Sequence, residues 1–255
     1  MTQNTLEKLV QDRTYAYNNP FLQAAFGHIK GASQNLIFGF SAAVAGDMLY
    51  DLWPGTNPYP FLDTAEIISV SSDSIEDNPT GTGAGVVLVF GLDENGLEQE
   101  ETLVLNGTTP VLTTNTFLRV NDLVVVQGAP GGDINTPNIG TITATSNTTA
   151  AQQAIILPMT GRATQSVYTV PYDKRGTVRS ITISVPESKT VEIVVANRPR
   201  DGVFLYTSPY VVREGTLHVN DLLTPLSRGS DFKIMARTIA GGSADVTVSY
   251  ELFTA

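Results

Sequence analysis

Cysteine is absent from the 255-residue chain. Its absence excludes disulfides, thiolate nucleophiles and Cys-ligated metal, and makes the protein indifferent to redox compartment. Histidine is nearly absent, with His28 and His218 the only two. Neither belongs to a His-x-His or His-Glu-x-x-His arrangement, so no stretch has zinc-ligand spacing. A Gly-x-Ser-x-Gly elbow, the local mark of one large class of Ser-His-Asp hydrolases, is also missing. Charge is scarce at 16%, against about a quarter in an average soluble protein. Long apolar runs are lacking: the longest, Leu36 to Ala45, is broken by Gly39 and Ser41 and is about half of the roughly 20 residues a membrane helix needs. The opening MTQNTLEKLVQD has no basic segment followed by an apolar one, so no secretory signal is read and synthesis in the cytosol is expected.

In place of charge stand Thr, Ser, Asn and Gly, with 42% hydrophobic residues and a mean hydropathy of +0.03. That composition is globular and suits short strands, tight turns and a surface that touches other protein. The net charge of −10 is uneven. Phe61–Gln165 holds 12 acidic and 2 basic residues, a balance of −10, whereas Ser166–Ala255 holds 9 acidic and 10 basic, a balance of +1. The acidic segment repels phosphate, which argues against nucleic acid as a partner. Basic residues further on are spread singly, as on a solvated face.

Taken in order, Asn4-Thr5-Leu6-Glu7 has a helix N-cap with Glu three residues on, and Leu6, Leu9 and Val10 follow at helical spacing. A short helix to about Arg13 is expected, and no further helical pattern of useful length appears. From Tyr15 to Trp53 aromatics alternate irregularly with Gly27, Gly31, Gly39 and Gly46, and no period is sustained. This stretch reads as an extended arm lying on protein surface, either of this chain or of a copy. Pro54, Pro58 and Pro60 make a stiff link. Trp53 and Tyr59 within it either seal the edge of the next domain or form an interface hot spot. Residues 61–165 then carry short strands at Ile67–Ser71, Val86–Phe90, Gln99–Leu105, Phe117–Val126, Gly140–Ala144 and Ala154–Leu157. Asn95-Gly96 is a strong hairpin signal between two of them. Residues 166–255 carry eight more strands, of which Asp245–Phe253 alternates cleanly. The expected fold is mainly β: an N-terminal helix and extended arm (1–60), then two antiparallel, jelly-roll-like β-sandwich domains (61–165 and 166–255).

Candidate chemistry fares poorly against plainer readings. Asp93 and Asn95 fit the first and third places of a calcium loop, but Leu97 and Glu98 occupy its fifth and sixth. A looser calcium site could draw on Asp73, Asp77 and Asp93. Glu98 and Glu100 could be a glycosidase pair, yet a turn and a solvated strand face explain them with less assumption. Gly81-Thr82-Gly83-Ala84-Gly85 precedes a strand, where a phosphate cradle would follow one, and it lacks a lysine, so it reads as a turn. His218 alternates with Leu217 and Val219 and reads as a strand-surface residue. No catalytic, cofactor-binding or metal-binding residue is expected.

The motifs Trp53…Tyr59-Pro60-Phe61, Gly81-Thr82-Gly83-Ala84, Val89-Phe90-Gly91-Leu92-Asp93-Glu94-Asn95, Leu105-Asn106-Gly107-Thr108-Thr109-Pro110-Val111 and Thr114-Asn115-Thr116-Phe117-Leu118-Arg119-Val120 resemble a module of tailed-bacteriophage structural proteins. Tyr168-Thr169-Val170-Pro171 and Ile181-Thr182-Ile183-Ser184 look like its second half. The resemblance spans roughly residues 50–255. It implies a non-enzymatic, homo-oligomeric virion protein of the decoration, neck or tail class, assembled in the host cytoplasm. Its partners would be copies of itself and capsid, portal or tail proteins, with no nucleic acid, membrane or cofactor. The expected interface residues are Phe21, Phe26, Phe38, Phe40, Trp53 and Tyr59. Removal of residues 1–50 is expected to leave a soluble fold that no longer joins particles. The alternative is a receptor- or carbohydrate-binding adhesin, with Tyr206, Tyr210, Arg198 and Arg200 as its cue.

Overall fold

In a computed structural model the described residues are 23–24, 26–130, 132, 136–206, 209–220 and 224–255. The expected helix to Arg13, and Phe21, lie outside them. Sixteen strands run in chain order: β1 Ser33–Val44, β2 Tyr50–Asp51, β3 Glu66–Ser72, β4 Ala84–Leu92, β5 Glu98–Val104, β6 Val111–Phe117, β7 Arg119–Gly128, β8 Ile142–Ser146, β9 Gln152–Ile156, β10 Tyr168–Thr169, β11 Gly176–Arg198, β12 Leu205–Tyr206, β13 Tyr210–Val219, β14 Thr224–Leu226, β15 Asp231–Ala240 and β16 Ala244–Thr254. The fold is mainly β, and every pairing between named strands is antiparallel.

The first sandwich stacks the sheet β6-β3-β8-β9 on the sheet β5-β4-β7. Alternation sets its core: Ile68 and Val70 from β3 meet Val87 and Val89 from β4, with Phe117, Leu123, Ile142 and Ile156 filling the space between. Each such side chain, fully buried, is worth about 1.5–3 kcal/mol. The β4–β5 hairpin forms where Asn95-Gly96 places it. Asp93 Oδ1 accepts the N–H groups of Asn95 and Leu97, both at 2.8 Å, and Gly96 takes a φ of +73°. Within this sandwich β6 was not foreseen, because it lies in the Thr/Asn-rich stretch between the expected strands Gln99–Leu105 and Phe117–Val126. Its polar residues deceive because only Thr113 and Phe117 of this edge strand are buried.

The second sandwich is one nine-stranded sheet folded over itself. Two strands make the fold-over. β11 runs 23 residues through Pro186–Lys189, where Ser188 has a φ of +58°, and β13 bends beside it at Glu214 and Gly215, which have φ of +20° and +92°. Ser188 N donates to the Glu214 carboxylate at 2.8 Å, tying the two bends together. Before the bend β11 pairs β16, and after it β15. The layers meet across Ile181, Ile183, Val191, Ile193, Ile234 and Val248, with the Phe232 and Tyr250 rings 5.0 Å apart. In sequence each of β11 and β13 looks like two strands, because proline and Glu-Gly resemble turns.

The arm is resolved differently from its sequence reading. Residues 33–44 are strand β1, paired along β16 from Ser33↔Thr254 to Ser41↔Val246, and β2 pairs β15. The stretch is therefore part of the second sandwich and crosses past the first in sequence. Its period-two pattern was masked by apolar residues on both faces: Ile37 and Val44 point into the core, Leu36 and Phe38 outward.

Candidate functional site

Two features stand out: the junction that locks the sandwiches together, and the outward face of β1. The junction is built on Asp231, whose side chain is 5% exposed. Arg119, at the start of β7, places Nε 3.2 Å from Asp231 Oδ1, and its Nη1 donates to the carbonyls of Leu62 at 2.6 Å and Leu118 at 2.7 Å. Arg198, at the end of β11, donates through Nε to Oδ2 at 2.7 Å, and Thr169 Oγ1 donates to Oδ1 at 2.6 Å. One carboxylate from the second sandwich thus receives a guanidinium from each. Asn121 strengthens the join by donating to Thr169 O and accepting from Thr169 N, both at 2.9 Å.

An aromatic ladder runs alongside. Trp53 meets Tyr59 edge-on at 4.8 Å, Tyr59 meets Phe61 at 4.9 Å, and Phe61 meets Phe204 at 5.6 Å. The Arg198 guanidinium lies over Phe61 and Phe204 at 4.6 and 4.9 Å. Tyr59 donates to Gln153 O at 3.0 Å, and burial pushes its pKa up, so it acts as a neutral donor. Asp51, at the end of β2, accepts Tyr59 N at 2.7 Å and pairs with Lys233, Nζ to Oδ1 2.8 Å, both side chains buried. The hairpin tip docks as well: Tyr172 N donates to Gly96 O at 2.8 Å, and a Cβ on Gly96 would sit 2.2 Å from the Tyr172 ring. Glu98 pairs with Lys174 at 2.5 Å.

These facts place the expected residues. Trp53 and Tyr59 are 1% and 4% exposed and seal the junction within this chain; as packed here they offer nothing to another subunit. Phe26 is exposed near His28. Phe38 is exposed and Phe40 half-buried, side by side on β1. They line an apolar groove of about 510 Å³ with Arg162, Ala163 and Val248. Leu36, 44% exposed on the same face, is the residue that sequence reading missed, although the spacing Leu36, Phe38, Phe40 was there to see.

The acidic residues have structural work. Asp77, fully buried, accepts from Ser72 Oγ, Ala84 N, Ile139 N and Gly140 N at 2.6–2.9 Å. Asp73 accepts Thr141 N and Asp93 holds the hairpin, so the three are engaged separately, and no cluster suited to a metal occurs among the described residues. Glu98 is half-buried against Lys174, not simply solvated, while Glu100 is exposed. Asp122 is raised above the ordinary carboxylate range by burial, against the pull of Arg162 at 2.6 Å. His218 is exposed and meets Thr182 Oγ1 at 2.6 Å. Of the adhesin cue, Arg198 is committed to Asp231, Arg200 stacks over Tyr172 at 4.0 Å, Tyr210 packs on the core and Tyr206 is 61% exposed.

The chain matches no family model and no curated protein. Among solved structures, an infectious bursal disease virus structure (Gx strain) is similar at 10% identity and a TM-score of 0.25, over 88% of this chain and 71% of that one. The VP2 subviral particle of the same virus gives 9% identity and 0.20, over 92% and 77%. A protein from Parabacteroides distasonis gives 9% identity and 0.20, over 88% and 90%. TM-scores of this size carry no argument about fold or role.

Proposed function

We propose that this chain is a non-enzymatic structural subunit of a tailed-bacteriophage virion. It is homo-oligomeric, decorates the capsid or belongs to the neck or tail, and attaches through its N-terminal region. The observation that carries the reading is the division of labour in the polar and aromatic residues. Buried ion pairs and the Trp53–Phe204 ladder are spent on clamping two sandwiches into one body. The exposed apolar pair Leu36 and Phe38, by contrast, lies on an outer strand. A rigid block with an apolar edge is what repeated assembly needs, since many modest contacts add up. The phage assignment itself rests on the motif resemblance. Its partners are copies of itself and neighbouring virion proteins.

The test is an antibody against this chain applied to purified particles, imaged at low resolution. Labelling at regular sites on capsid, neck or tail is expected; particles that lack the chain would overturn the proposal. The adhesin alternative keeps one favourable observation, the exposed Val203, Leu205 and Tyr206. A glycan array decides it. The full chain must be used, because residues 166–255 alone would lack β1 and β2.

A further inference from the structure

Sheet edges offer unpaired N–H and C=O groups, and proteins close them with charge, proline, bulges or covering chain. The edges at β5, β6, β7, β9 and β13 are treated that way. The Glu101 carboxylate accepts Thr114 N and Asn115 N on β6 at 2.7 and 2.9 Å. Residues 161–164 cover β7 and β9 through Val125 N to Gly161 O and Thr164 N to Ile155 O. β5 carries Glu98, Glu100 and Glu101, and β13 carries Arg213, Glu214 and His218.

β1 differs. Its sequence SQNLIFGFSAAV has no charged residue and no proline, and its bulge, between Ser41 and Val44, leaves Gln34–Phe38 regular. Phe40 N points away from β16 to Thr164 O at 3.3 Å. In an antiparallel ladder, residues two apart direct their backbone groups to the same side. Gln34, Leu36 and Phe38 therefore present N–H and C=O to the outer edge, and among the described residues no hydrogen-bond partner meets them there. Their side chains share the exposed face.

We propose that this edge pairs antiparallel with the same edge of a second copy, about a two-fold axis at Leu36. Leu36 then lies opposite the partner's Leu36, and Gln34 opposite the partner's Phe38, each pair exchanging both backbone bonds. Charge selects a copy as the occupant. The acidic excess lies in residues 61–165 and repels a copy that approaches the first sandwich, whereas the uncharged strip lies on the nearly neutral second sandwich and meets itself without repulsion. Thr164 on Phe40 N ends the pairing at one side, and the two-fold axis repeats that end on the other. This contact rests on the homo-oligomeric reading above and names the surface that makes it.

The chain's lack of cysteine makes the test clean. In a hydrogen-bonded pair Cα atoms lie about 5.5 Å apart, inside the disulfide range of about 4.4–6.8 Å. Leu36→Cys is expected to give a disulfide-linked dimer on mild oxidation, and Val104→Cys, 57% exposed on β5, is not. Leu36→Glu sets two carboxylates face to face and is expected to weaken dimerisation about tenfold or more by sedimentation, with the melting temperature nearly unchanged. A wild-type chain that sediments as a monomer, or Leu36→Cys linking no faster than Val104→Cys, overturns the pairing. If the chain is in particles and Leu36→Glu assembles like wild type, the pairing falls and the virion role stands. If Leu36→Glu abolishes a wild-type dimer but the chain is missing from particles, the role falls and the pairing stands.

Discussion

Asp77 sits fully buried at the base of the loop from Asp73 to Gly83, and four donors meet its two oxygens. Replacing it with alanine strands the buried N–H groups of Ala84 and Gly140, at about 1–3 kcal/mol each. Asp77→Ala is therefore expected to lower the urea unfolding free energy by roughly 3–5 kcal/mol; a change under about 1 kcal/mol would show that the loop is not held this way. Gly83 belongs to the same arrangement, since a Cβ there would lie 2.1 Å from Asp77 Oδ1. Glycine in GTGAG thus answers to a buried carboxylate, not to a phosphate. Glu66 carries the pH dependence. The Ser146 hydroxyl, with Thr148 N and Thr149 N at 3.1 and 3.2 Å, holds its carboxyl below the ordinary range against the opposing effect of burial. Because the folded pKa is depressed, this stabilisation is present at neutral pH and is lost as pH falls through the folded value. Glu66→Gln should be less stable than wild type at neutral pH, and urea midpoints of the two should converge in acid. Parallel curves would remove Glu66 from the account.

At the scale of elements, β1 decides how the chain can be cut. Deleting residues 1–50 removes the whole strand, uncovers the edge of β16 and empties the sites of Ile37 and Val44, so the expectation of a soluble truncate is reversed. That truncate should be insoluble or lack a cooperative melt, while deletion of residues 1–22 keeps every described strand and should still melt cooperatively. Circular dichroism melts of both decide it; a cooperative melt for the longer deletion would mean β1 is dispensable. β16, with Val246, Val248, Tyr250 and Leu252 all buried, was legible because one of its faces is wet and the other dry. β1 was not, since apolar residues occupy both faces, and β6 was hidden by threonines that an edge strand tolerates. The bends in β11 and β13 escaped because a strand can change partners through a bulge without ending.

For the molecule as a whole, the junction makes one body of two cores. Asp231→Ala leaves Arg119 and Arg198 facing each other without a carboxylate, and breaking a buried pair from one side costs about 3–5 kcal/mol. Calorimetry of the wild type should show one transition, and Asp231→Ala should split it into two. Two transitions already in the wild type would mean that the clamp does not couple the sandwiches.

The amino-acid sequence on its own determined the β class, the hairpin at Asn95-Gly96 and the two-core composition, because alternation and turn chemistry are local and leave a period that can be counted. Tertiary structure alone decided that residues 33–44 complete the second sandwich, that Trp53 and Tyr59 face inward, and that Asp231 gathers arginines from residues 119 and 198. Those outcomes depend on which distant backbone lies alongside, and pairing between strands some 200 residues apart, as for Ser33 and Thr254, leaves no trace in the spacing of either strand.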